Sequence, residues 1–147
     1  MYVHKLEKDF GCPLEAALEA VSGKWKTRIV GTLYRKGTVR FGDMKKELGG
    51  ISDAVLSSVL RELQGYGVVD RIAYNEVPLR VEYSLTENGM KLVPIFRSLC
   101  LWWQDSQKEE IICKNTHCDG CLDQQHKEQK EELYTDKNYP HFQREEH

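Results

Sequence analysis

Residues 51–69 read ISDAVLSSVLRELQGYGVV. Ile51, Val55, Val59 and Leu63 recur every four residues, with Leu56 and Leu60 beside them. This spacing predicts a helix with one apolar face turned to a core. Ser52 stands where a side-chain oxygen accepts a free backbone N–H, and Asp53 follows where the helix dipole favours an acid. Between the apolar positions lie Asp53, Ser57, Ser58, Arg61 and Gln64. Small and hydrogen-bonding side chains on the outer face would let such a helix enter a DNA major groove and reach base edges. The same pattern describes an ordinary amphipathic helix with a solvated back, so the flanking sequence has to decide.

Working outward, Phe41, Met44 and Leu48 predict a short helix over 41–48, closed by Gly49-Gly50. Two helices joined by a glycine-bearing turn have the dimensions of a helix-turn-helix. Upstream, Leu14, Ala17, Leu18 and Val21 follow Pro13 in a first helix, and Trp25, Ile29, Val30 and Leu33 form a second, stopped at Gly37. Thr38-Val39-Arg40 reads as a short extended piece. Downstream, residues 68–74 and 80–85 read as two strands around the turn Asn75-Glu76-Val77-Pro78-Leu79. Thr86 then caps a last helix, which Pro94 is expected to bend. That helix is apolar over more than one face, which predicts burial against a second chain. One ring of Trp102-Trp103 is expected in the domain and the other in that seam. The fold expected is mainly α with a small β-hairpin: a winged helix-turn-helix whose N- and C-terminal helices form a dimer interface.

The 147 residues are 40% hydrophobic, enough for one domain with a real core. No apolar run reaches the roughly 18 residues of a membrane span. The opening MYVHKLEKDFGCP has no apolar signal region, and five cysteines without one point to thiols in a reducing cytoplasm. The net charge of −2 hides an uneven distribution. Residues 24–97 hold thirteen Lys/Arg against eight acids, while both ends are acidic. A basic middle suits a polyanionic partner. The expected division is an N-terminal arm over 1–11, the winged-helix domain over 12–106, and a cysteine-bearing polar extension over 107–147.

Four stretches carry a family resemblance: Cys12-Pro13, GKWKTRIVGTLYRKGTVRF (23–41), ISDAVLSSVLRELQGYGVVDR (51–71) and VPLRVEYSLTENGMKL (77–92). In this order and spacing they resemble the HxlR-type transcriptional regulators, winged-helix proteins of bacteria akin to the MarR group. The resemblance covers roughly residues 10–103. It implies a homodimer that binds double-stranded operator DNA. Leu79 departs from it, because relatives usually repeat proline there. The tail after about Ser106 lies outside the family pattern.

Ser52, Asp53, Ser57, Ser58 and Arg61 are the candidate groups on the reading helix, with Arg61 suited to guanine. Asp53 could equally be a helix-start acid, and Arg61 could sit in a salt bridge. Lys24 and Arg40, at element ends, suit phosphate contacts or plain solvent exposure. Arg71, Tyr74, Asn75 and Arg80 flank the hairpin, whose wing could reach the backbone or the minor groove. Arg80 could instead pair with Glu76 or Glu82. Trp25, Phe41 and Tyr83 read as core or interface.

Cys12 opens the first helix, where the dipole favours a reactive thiolate. The resemblance makes it a candidate redox switch, since a cysteine there senses oxidants, quinones or aldehydes in relatives; a plain small apolar residue is the alternative. Cys113, Cys118 and Cys121, with His117 among them and His126 just after, suit Zn²⁺, a disulfide on oxidation, or incidental thiols. Cys100 reads as packing. No catalytic constellation is present. The sequence therefore points to a DNA-binding regulator that is not an enzyme. The alternatives are a winged-helix protein-interaction module with a metal-binding cysteine tail, or an enzyme accessory domain carrying zinc chemistry in the 113–126 segment.

Overall fold

The computed structural model describes residues 10–106. Most of the arm expected over 1–11, and all of the extension expected over 107–147, lie outside it. In chain order the elements are α1 (Pro13–Val21), α2 (Lys24–Lys36), β1 (Val39–Arg40), α3 (Phe41–Leu48), α4 (Asp53–Gly65), β2 (Val69–Tyr74), β3 (Arg80–Leu85) and α5 (Glu87–Ser106). The strands form one antiparallel sheet in the order β1-β3-β2. This is a winged helix-turn-helix: α3 and α4 make the motif, and the β2–β3 hairpin is the wing.

The turns follow from local chemistry. α3 ends as Gly49 N–H donates to the Lys45 carbonyl at 3.1 Å. Gly49 and Gly50 both hold positive φ, +59° and +69°, a region that side chains disfavour. The chain thus turns within two residues. α4 then starts at once, because the Ser52 hydroxyl oxygen accepts from Val55 N–H at 3.2 Å.

The core lies where α2, α3, α4 and the sheet meet. Ile29, Val30 and Leu33 of α2 face Met44 and Leu48 of α3 and Leu56, Leu60 and Leu63 of α4, all essentially inaccessible. Burying each such side chain stabilises the fold by about 1.5–3 kcal/mol before the entropy of ordering is set against it. The expected stripe on α4 is rotated. Leu56, Leu60 and Leu63 form its centre, Val59 is half-buried, and Val55 is 42% exposed. Spacings of four and three place 56, 60 and 63 on one line of a 3.6-residue helix, whereas Val55 lies about a quarter turn away.

β1 was expected only as an extended piece. In the structure it is the third strand of the sheet, with Val39 opposite Tyr83 and Arg40 opposite Glu82. Tyr83 is buried there, while Trp25 and Phe41 are half-buried against the core. At the far end of the wing the Thr86 hydroxyl donates to the Gly67 carbonyl at 2.6 Å and accepts from Gly89 N–H at 2.9 Å. α5 is thereby fixed to the corner between α4 and β2. A Cβ on Gly89 would stand 2.2 Å from the Val68 carbonyl oxygen, so only glycine allows this approach.

α5 continues through Pro94 to Ser106. Both tryptophan rings on it are exposed, Trp102 at 65% and Trp103 at 46%. The expectation of one ring packed inside the domain is therefore corrected: this end of α5 extends past the α2 and β3 surfaces it packs on. Ile95 and Leu99 are exposed on the same helix, as are Leu14 and Leu18 of α1, which buries no residue at all. No helix among the described residues is long and apolar enough to cross a membrane.

Candidate nucleic-acid interface

Opposite the buried leucines, α4 presents Ala54, Ser58 and Arg61, with Ser57 and Val55 on its shoulders. Ser58 and Arg61 are exposed and Ser57 is half-buried. Glu62, the nearest acid in sequence, pairs with Lys26 of α2 at 2.9 Å. Arg61 has no hydrogen-bond or ion-pair partner among the described residues, so its guanidinium is available to an external acceptor. Ala54 and Val55 were missed by the sequence reading. Their signal was that neither falls on the leucine line, although both are apolar. Apolar groups there can meet a thymine methyl.

Ser52 and Asp53 both have structural tasks. Ser52 caps α4, which leaves its hydroxyl proton free to donate outward. The Asp53 carboxylate lies 2.8 Å from the Lys45 ammonium of α3, a surface contact that ties the two helices across the glycine turn. Arg40 is the N-cap residue of α3, with its guanidinium largely exposed and Nε 4.0 Å from Glu82. Lys24, the first residue of α2, is exposed and holds its ammonium 4.5 Å from the centre of the Trp25 ring.

The wing divides its four candidates. Arg71 and Asn75 are exposed. Tyr74 is half-buried, with the Arg80 guanidinium 3.9 Å from its ring centre. Arg80 also approaches Glu76 at 3.2 Å and Glu82 at 3.6 Å. Arg80 is thus bound inside the wing by the acids that the sequence offered as its alternative partners. The structure brings Ser57, Ser58 and Arg61 together on one helix face and places Arg71 and Asn75 on the hairpin.

Cys12 is an exposed free thiol at the N-cap of α1, and Cys100 is half-buried on α5. Cys113, His117, Cys118 and Cys121 lie outside the described residues. Among the described residues no group of three or more His, Cys, Asp and Glu side chains could hold a metal.

Comparison with known proteins places this architecture. A family model described as HxlR-like helix-turn-helix matches residues 20–111. A relative from Halalkalibacterium halodurans, the uncharacterized HTH-type transcriptional regulator BH0655, is 38% identical over 106 residues, covering 72% of this chain and 94% of the relative. The solved structure of the redox regulator HypR in its oxidized form is 36% identical, with a TM-score of 0.57 over 67% of this chain and 100% of that one. The reduced form of the transcriptional regulator YodB from B. subtilis is 29% identical, with a TM-score of 0.61 over 67% of this chain and 97% of that one.

Proposed function

Because the chain belongs to the HxlR-like helix-turn-helix family of transcriptional regulators, we propose that it is a sequence-specific DNA-binding homodimer. Each subunit lays α4 in a major groove, with the wing beside it. The exposed face of Ala54, Ser58 and Arg61, back to back with Leu56, Leu60 and Leu63, carries this reading. Two-fold symmetry then sets the two half-sites about one helical turn apart. α1 and α5 supply the dimer contact, which accounts for the exposed Leu14, Leu18, Ile95, Leu99 and Trp102. Thiol chemistry at Cys12 regulates binding. The exposure of that thiol at the start of α1, and the likeness to HypR, support this part. Oxidation there would act on α1, part of the dimer contact, and so change the spacing of the two α4 helices.

Genome-wide selection of bound DNA fragments, with and without a thiol oxidant, tests the whole reading. The expected result is a set of two-fold symmetric sites whose occupancy responds to oxidant, with the response lost in Cys12→Ser. Recovery of no enriched fragments rejects DNA binding. Symmetric sites with an unchanged oxidant response in Cys12→Ser reject the switch alone.

A further inference from the structure

The wing tip is apolar and uncovered. Val77 is 102% exposed and Leu79 66% exposed, with Pro78 exposed between them. The basic side chain nearest the tip is already engaged: Arg80 lies against Glu76, Glu82 and the Tyr74 ring. An open cleft of about 470 Å³ separates the tip from the start of α3, lined by Arg40, Phe41 and Gly42 on one side and residues 76–81 on the other. Among the described residues nothing packs beneath the tip.

Resting on the DNA-binding reading above, we propose that the wing enters the minor groove through Val77, Pro78 and Leu79, as an apolar wedge rather than a cationic finger. Duplex DNA is the occupant favoured by the surroundings. The tip lies across its cleft from the first turn of the helix that leads into α4. Arg40 borders that cleft, and Arg71, which has no ion-pair partner among the described residues, is exposed on the same hairpin. Arg40 across the cleft and Arg71 farther down the hairpin suit a partner walled by phosphates. Leucine and proline act this way when they press between base steps and partly unstack them. The wedge selects by deformability, so it favours flexible pyrimidine–purine steps such as TA in the flanks of each half-site. It adds nothing to counterion release, which only neutralised phosphates drive.

The test uses the full chain and a duplex recovered by it from a random-sequence pool. Val77→Ser/Leu79→Ser is expected to bind that duplex at least roughly tenfold more weakly, since the loss of even one buried apolar side chain has that scale. The slope of log affinity against log salt should stay at the wild-type value. Replacing flanking adenines by 2,6-diaminopurine adds an amino group in the minor groove and leaves the major-groove pattern in place. This should weaken the wild type to a similar degree and leave the double variant unaffected further. Equal affinity of variant and wild type overturns the proposal, as does a wild type indifferent to diaminopurine or a salt slope that shrinks in the variant. A smaller sedimenting species for the double variant also overturns it, by assigning the tip to contact between copies of the chain. Melting curves that coincide with wild type establish that the exposed substitutions leave the fold intact. If the pool yields no duplex, the DNA-binding reading itself fails.

Discussion

The Lys45 ammonium and the Asp53 carboxylate meet at 2.8 Å across the Gly49-Gly50 turn, so the two helices of the motif are joined by charge as well as by the core beneath them. Both groups are well exposed, 44% and 70%, which limits the contribution of the pair to stability to below about 1 kcal/mol. Asp53→Ala should therefore cost about 1 kcal/mol or less in urea unfolding, including the loss of a helix-start acid. It should also release Lys45 towards DNA. The measurable sign is a tighter complex at low salt, with a salt slope steeper by up to about one.

Arg61→Ala separates recognition from folding. The side chain has no hydrogen-bond or ion-pair partner among the described residues, so unfolding free energy should move by less than about 0.5 kcal/mol. Affinity for a selected site should fall by about 1–3 kcal/mol, and discrimination should relax at one base position per half-site. Binding titrations against the selected duplex and its single-position variants read both effects. A loss spread evenly over all sequences would make Arg61 a phosphate contact.

The rotated stripe on α4 predicts opposite outcomes for two neighbours. Leu56→Ala removes a fully buried side chain and should destabilise by about 2–5 kcal/mol. Val55→Ala, one residue earlier, should change stability by less than about 0.5 kcal/mol, because Val55 is partly in solvent and alanine favours helix. Chemical denaturation of the two variants side by side checks the helix phase.

Gly89→Ala gains helix propensity worth about 1 kcal/mol and should still destabilise. The new methyl would collide with the Val68 carbonyl at 2.2 Å, and that backbone also receives the Thr86 N–H at 3.0 Å. A net loss of about 1–3 kcal/mol, the usual scale of overpacking, is expected in thermal or urea unfolding.

Leu99→Glu places a charge in the exposed stripe of α5 that the proposed dimer would cover. Sedimentation velocity should shift from dimer to monomer at micromolar protein, and DNA affinity should fall with it. An unchanged sedimentation coefficient would place the dimer contact elsewhere.

Much of this was legible in the sequence because each element carries its own local signal. The Gly49-Gly50 turn, the Ser52 cap and the Thr86 cap depend on neighbours within four residues, and all three form as those residues dictate. The phase of α4 was less legible, since Val55 and Leu56 are both apolar and only packing against α2 and α3 decides which turns inward. The pairing of β1 with β3 depends on partners far along the chain, and two residues give too little pattern to announce it. Arg80 shows the limit at the site itself. Its two possible acids were visible, but its commitment to them follows from the hairpin register, which sets Tyr74 opposite Arg80 and Ile72 opposite Glu82.

That two-residue strand also carries the longest-range pairing in the sheet. Val39 and Tyr83 are neighbours in the sheet, but the whole helix-turn-helix lies between them in the chain. Bringing them together closes a long loop, at an entropic cost that two strand residues alone repay weakly. The turns within the helix-turn-helix and within the wing hairpin join residues much nearer in the chain. Docking of β1 on β3 is thus the sheet contact with the longest loop to close and the fewest residues to offset that cost, which favours its forming late and opening early. The wing is therefore tied to the start of the helix-turn-helix by a two-residue pairing, against six pairs within the wing itself.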